Sequence, residues 1–282
     1  MRGLLLLGAI ASVATSAPLI RWAAPAPAMT VAAGRVCLAA LVLFALAPGA
    51  PRQWVRLPPR ERGLVVVAGV LLGTHFGVWI TSMYFTSTAA SVALVAMNPI
   101  FAALFGLGLG DRVGGREWAG IGIAAVGCAL LAGGDWDEGG AALIGDALAL
   151  RGAATAAAYL VVGRRLRAGL PLTSYLAMVN GVAGVGLLVA AAIASAPVFG
   201  LDGDVYAAIA ISALVPSLIG HTLLNAAVRR TPTHLVALAI LGEPVGASLL
   251  TWGFFAERPP AHAAIGGGII LGGIAIGFVG RR

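Results

Sequence analysis

Lysine is absent from this chain, and charge of either sign is scarce: all 18 basic residues are arginine, 11 are acidic, and together they make up 10% of 282 residues. A water-soluble domain carries about 25% charged residues, so no stretch is left over for a soluble catalytic domain. Cysteine is nearly absent too. Cys37 and Cys128 both fall inside apolar runs, which argues against a disulfide framework and for small core residues. Segments of about ten residues alternating apolar and polar would mark a transmembrane β-barrel. They are missing here, and runs such as 64–73 and 265–279 are continuously apolar. There is no H-E-x-x-H, no G-x-S-x-G and no Cys/His cluster, so no metal site, no hydrolytic nucleophile and no cofactor is expected. The arginines are not interleaved with aromatics, which argues against nucleic acid as a partner.

What the chain has is hydrophobic residues, 60% of the total. A helix needs about 20 apolar residues to cross roughly 30 Å of hydrocarbon. The sequence therefore predicts an all-α integral membrane protein of ten transmembrane helices, over 3–20, 28–47, 63–84, 89–109, 118–132, 143–162, 172–194, 205–228, 233–255 and 261–280. The connecting segments are short and rich in Pro, Gly or charge. The first 18 residues have the Arg, apolar core and small residues of a signal peptide, but the repeat described below needs them as the first span.

The arginines set the expected orientation. With the N-terminus in the cytoplasm, the cytoplasmic side receives Arg2, Arg52, Arg56, Arg60, Arg62, Arg112, Arg116, Arg164, Arg165, Arg167, Arg229, Arg230, Arg281 and Arg282. The outer side receives Arg21 and Arg258, and Arg35 and Arg151 fall within spans. Basic residues concentrate on the cytoplasmic side of membrane proteins. The expected location is the cell (cytoplasmic or inner) membrane, with both termini cytoplasmic and the loop Asp135–Glu138 outside. The 40 glycines often recur every fourth residue, as in Gly69/Gly73/Gly77, Gly268/Gly272 and Gly273/Gly277, the spacing that lets helices pack closely in lipid.

The chain also repeats itself. Asp111-Arg112 matches Glu257-Arg258, Gly120 matches Gly266, Gly127 matches Gly273, and His75 matches His221, all at a shift of 146; Asn98-Pro99 and Glu243-Pro244 lie 145 apart. The shift is half the chain, or five spans, which predicts repeats over 1–134 and 143–282. An odd number of spans inverts the second repeat relative to the first, a recurring transporter plan with the site near the midplane.

These features resemble the EamA-type transporters of the drug/metabolite transporter superfamily. The clearest residues are MNPIFAALFGLGLGDRVGGREWAGIGIAAVGCALLAG and its partner LGEPVGASLLTWGFFAERPPAHAAIGGGIILGGIAIG. Arg35 in AAGRVCLAALVLF also fits a family position. The resemblance covers essentially the whole chain and implies fold and transport class. Two departures are Asp111, where the family usually has Glu, and Arg35, whose matching region reads Ala177-Met178-Val179-Asn180.

Ionisable residues inside a span cost about 2.5–3.5 kcal/mol at a helix centre and persist when they face a cavity or one another. The candidates are Arg35, His75, His221 and Glu243, with the uncharged Trp79, Asn98, Tyr159, Asn180 and Asn225. His75 and Trp79 share a helix face, as do His221 and Asn225, because each pair is four residues apart. The repeat superposes these pairs, and Asn98 on Glu243, which predicts that all of them except Arg35 bind substrate around one cavity. Pro244 frees a backbone carbonyl and breaks its helix. Glu243 then either binds a cationic group, carries a coupling proton, or forms a structural ion pair with Arg35. Asp111 and Glu257, at loop edges beside Arg, read as capping and ion-pairing groups.

The function this predicts is secondary transport of small metabolites, amino acids or related compounds, with or without proton coupling. Export is what the resemblance implies. The partners are a small-molecule substrate, the lipid bilayer and, where coupled, protons. The alternatives are a passive channel and a membrane-embedded enzyme; for the latter the chain offers no nucleophile with a base and no reason for two matched halves.

Overall fold

The structure, a computed structural model, describes residues 2–132, 140–166, 169–229, 231–255 and 261–279. Ten helices are long and apolar enough to cross a membrane: α1 (Leu4–Trp22), α2 (Ala28–Leu46), α3 (Pro59–Ser82), α4 (Thr88–Leu107), α5 (Gly115–Ala132), α6 (Gly140–Leu166), α7 (Leu172–Ile193), α8 (Gly203–Val228), α9 (Thr233–Phe254) and α10 (Ala261–Phe278). Among the described residues there is no strand. The fold is all-α, in two five-helix repeats.

Two helices outrun their apolar runs for local reasons. α3 begins at Pro59 because proline is tolerated in a first turn, where its missing N–H has no helical partner to lose. α6 runs on through Arg164 and Arg165, cations favoured at a helix C-terminus. Between α2 and α3, where the sequence reads as loop, a short helix (Ala50–Arg56) packs beside α7. The loop 135–138, Glu257-Arg258, Arg167, Arg230 and Arg281-Arg282 lie outside the described residues.

The packing is two-fold. α5 lies along α10 and α2 along α7. α3 packs on α6 and α7, and α8 on α1 and α2. α4 meets α6, α9 meets α1, and α4 and α9 meet each other. Exchanging the first five helices for the last five maps this pattern onto itself. The α5/α10 crossing brings backbone close against backbone. A Cβ at Gly120 would lie 2.6 Å from the Gly273 carbonyl oxygen, and one at Gly127 would lie 2.7 Å from that of Gly266. Only glycine admits backbone on backbone at that range, the close packing that helices use in lipid.

Three spans are interrupted along their length. α4 divides into Thr88–Val95 and Asn98–Leu107, and α9 into Thr233–Ile240 and Glu243–Phe255. Each second half opens on its X-Pro pair, since Pro99 and Pro244 lack the N–H that would continue the ladder. α1 divides likewise, its second part opening at Ser16 two residues before Pro18. α8 is not broken but widened: Ala213–Gly220, with Pro216 inside, is a π-helix that runs straight into His221. Val70, the residue 146 places earlier, is no proline, and α3 stays regular there.

Candidate functional site

The interruptions converge on one central cavity. It is lined by His75 and Trp79 from α3, Asn98 from α4, Tyr159 from α6, His221 from α8 and Glu243 from α9, with Ser16 and apolar residues such as Val13, Val95 and Ala156 completing the wall. Asn98 and Glu243 are the first residues of their second half-helices. Both half-helices thus direct an N-terminus, the positive end of the helix dipole, toward the space between the repeats. The cavity is about 50 Å³. At ~10–15 Å³ per water this admits only a few water-sized molecules, well below the roughly 300–1,000 Å³ of a small-molecule pocket.

The histidines are held differently. His75 Nδ1 lies 2.9 Å from the Gly152 carbonyl of α6. A carbonyl only accepts, so Nδ1 carries the hydrogen and Nε2 remains as the other polar atom of the ring. The His75 ring stacks on Trp79, with centroids 5.8 Å apart and planes 11° from parallel. His221, which follows the π-helix, meets the same cluster through Phe76: the Phe76 ring is 5.2 Å from His221 and 4.9 Å from His75. Phe76 is the buried hub of this aromatic group, and nothing marks it in the sequence among ordinary core residues.

Arg35 does not pair with Glu243. The guanidinium is fully buried; its Nε donates to Ser217 Oγ and its Nη1 to Ser16 Oγ, each at 2.9 Å, and it lies 4.5 Å from the centroid of Phe76. Among the described residues no ion pair joins it to Glu243. Serines from α1 and α8 reach the middle of α2, where Arg35 sits, and accept from two of its three nitrogens without neutralising it. Glu243 keeps its carboxylate on the cavity wall at a half-helix N-terminus. Arg35 Nη2, Trp79 Nε1 and Asn98 Oδ1 are buried without a hydrogen-bond partner, an uncommon state for buried polar atoms.

Two of the residues expected here lie elsewhere. Asn180 on α7 donates to Leu176 O at 2.9 Å and Asn225 on α8 to His221 O at 2.7 Å, each one turn back along its own helix. Neither lines the cavity. A short amide can satisfy its donor on its own backbone, so its presence in a span does not require a polar neighbour.

At the arginine-rich end two further charged contacts occur. Asp111, in the α4–α5 turn, pairs with Arg164 of α6, with N–O distances of 2.7 and 2.8 Å. This is the ion-pairing role expected of Asp111. Glu117, in the first turn of α5, accepts from Gly114 N at 2.8 Å and meets His234 Nε2 of α9 at 3.0 Å, both side chains being nearly inaccessible. Sequence reasoning singled out neither Glu117 nor His234, although a carboxylate three residues into a helix is a recognisable cap.

Comparison with known proteins adds the family. The sequence profile described as "EamA-like transporter family" matches residues 2–133 and 143–279. No curated protein matches the chain. A solved structure titled "Crystal structure of protein" superposes with a TM-score of 0.81 over 99% of this chain and 96% of its own, at 21% identity. At that identity the likeness is one of fold.

Proposed function

The chain belongs to the EamA-like transporter family, a membrane transporter of the drug/metabolite transporter superfamily, and from that premise we propose that it exports small polar or amphipathic metabolites, amino acids or related compounds foremost, in exchange for protons. The observation that carries this reading is Glu243: a cavity-lining carboxylate at a proline-broken half-helix, not locked to the nearby Arg35. A carboxylate in a low-dielectric bundle is costly to keep ionised without a partner. A proton and a cationic substrate group therefore compete for it. Asn98, His75, His221 and Ser16 offer hydrogen bonds to the polar part of such a substrate, and Trp79 and Tyr159 offer apolar faces to the rest. Export is the direction expected of the family. A carrier rather than an enzyme is also what two matched halves around one cavity serve, since alternating access needs them and a single chemical step does not.

Metabolite-resolved efflux from cells with and without the protein identifies the substrate. In proteoliposomes, Glu243→Gln is then expected to abolish transport driven by a pH gradient while saturable substrate exchange and protein abundance stay within about twofold. Normal transport with unchanged pH dependence would remove Glu243 as the coupling group. Flux that does not saturate would favour a channel. A poorly inserted variant rescued by Arg35→Leu would make Glu243 half of a structural pair after all.

A further inference from the structure

The two carboxylate contacts at the arginine-rich end, Asp111 with Arg164 and Glu117 with His234, share a property that their local roles do not require: each joins one repeat to the other. Asp111 belongs to the first repeat and Arg164 to the second; Glu117 belongs to the first and His234 to the second. All four lie at ends of helices that face the same side, because the loops after α4, α6 and α8 alternate to one face. The Asp111 carboxylate is aimed by a tight turn: Gly110 adopts φ +85°, and Asp111 N donates back to Gly106 O at 2.9 Å. Glu117 caps its own helix and grips α9 with the same oxygen, Oε2.

The opposite end is built otherwise. Residues 146 places from Glu117, His234 and Arg164 are Ala263, Thr88 and Pro18, so the repeat has no counterpart of the Glu117–His234 pair or of Arg164; Glu257, the match of Asp111, lies outside the described residues. Among the described residues, the side-chain hydrogen bonds that cross between repeats at that end are made by hydroxyls, Thr86 Oγ1 to Asp146 Oδ1 at 2.9 Å and Thr30 Oγ1 to Pro197 O at 2.7 Å. A hydroxyl parts from its acceptor without stranding a buried charge. Glu117 and His234 do not part so cheaply, because a buried partner left alone is penalised for lost solvation. Asp111–Arg164 is partly exposed and adds less.

We infer that the Asp111–Arg164 and Glu117–His234 pairs are a one-sided latch that holds the arginine-rich, cytoplasmic mouth of the central cavity shut. The latch biases the carrier toward states closed on that face, and loading from it requires both pairs to open. This rests on the transport reading above only in assuming two-sided access; its test needs no substrate.

Ala156 lines the cavity. In full-length protein with Cys37 and Cys128 changed to alanine, Ala156→Cys reports access by labelling with a membrane-impermeant maleimide, applied to right-side-out or to inside-out vesicles. Asp111→Asn combined with Glu117→Gln is expected to speed labelling from the arginine-rich face roughly tenfold, the factor that about 1.4 kcal/mol of lost closure represents, and to leave labelling from the other face unchanged or slower. Unchanged labelling at both faces overturns the latch, and so does a rise at both, which would mark general loosening. The swap Asp111→Arg with Arg164→Asp keeps the pair and is expected to return labelling to the parent rate in a Glu117 background. A swapped protein that labels as fast as Asp111→Asn overturns the role of that pair even if the double variant folds poorly.

Discussion

The two arginines within spans have opposite surroundings. Arg35 is enclosed by Ser16, Ser217 and the face of Phe76, and a desolvated cation over an aromatic ring gains about 2 kcal/mol or more. Arg151, in the middle of α6, is exposed on the flank of the bundle and forms no ion pair among the described residues. Its side chain leans toward the N-terminus of its helix and can reach for the headgroups only by snorkelling. Arg151→Leu is therefore expected to raise the apparent melting temperature in detergent and to ease insertion, by up to about 2.5–3.5 kcal/mol on insertion scales, with transport unchanged. Loss of transport with intact folding would show that Arg151 has a partner in function. The same cost explains what could be read from the sequence. A histidine, carboxylate or asparagine in lipid is conspicuous, and His75, Asn98, His221 and Glu243 do converge on one cavity. Asn180 and Asn225 were equally conspicuous, yet neither lines the cavity, and each donates its amide one turn back along its own helix. Ser16 and Phe76 were not, because a serine or a phenylalanine in an apolar helix signals nothing by itself.

At the scale of helices, two kinds of device shape the bundle: breaks and close crossings. The break at Glu243-Pro244 was legible, and the repeat set Asn98-Pro99 in register with it. The π-helix around Pro216 was not, since a proline in a helical run can end, kink or widen it depending on what packs beside it. Glycine spacing was legible only in part. Gly268/Gly272 and Gly273/Gly277 have the same period, but a Cβ at Gly273 would sit 2.6 Å from both Ala124 N and Gly120 O, whereas nothing lies within 4 Å of one at Gly268 or Gly272. The sequence gives the stripe, and only the partner helix decides which stripe is buried. Gly273→Val should consequently lower the thermal midpoint, at about 1–3 kcal/mol for overpacking a rigid contact and more if backbone must move. Gly268→Val and Gly272→Val should stay within about 0.5 kcal/mol of the parent, as surface substitutions do. Equal loss from all three would mean that the α5/α10 crossing is not the tight element it looks like here.

For the whole molecule, the decisive asymmetry is between its two ends. The repeats give the bundle two-fold packing, so nothing in the helix arrangement alone says which end faces the cytoplasm. Charge does. Among the described residues one end gathers Arg52, Arg56, Arg60, Arg62, Arg112, Arg116, Arg164, Arg165 and Arg229, the other Arg21, and the same arginine-rich end carries both carboxylate contacts between the repeats. Retention of Lys and Arg on the cytoplasmic side acts through short loops, and every described loop here is short. The expected orientation has Arg165, at the end of α6, inside and Asp204, at the start of α8, outside; both are exposed. In intact cells, an impermeant maleimide should label Asp204→Cys readily and Arg165→Cys only after the membrane is permeabilised, each in a background without Cys37 and Cys128. The reverse pattern would place the arginine-rich end outside. The latch would then close the outer mouth, Glu243 would load from the opposite side, and a preference for uptake would follow from the same residues. Labelling of both positions from outside would imply an even number of spans between them. Because α7 is the one span that separates them, the ten-helix arrangement itself would then be at fault.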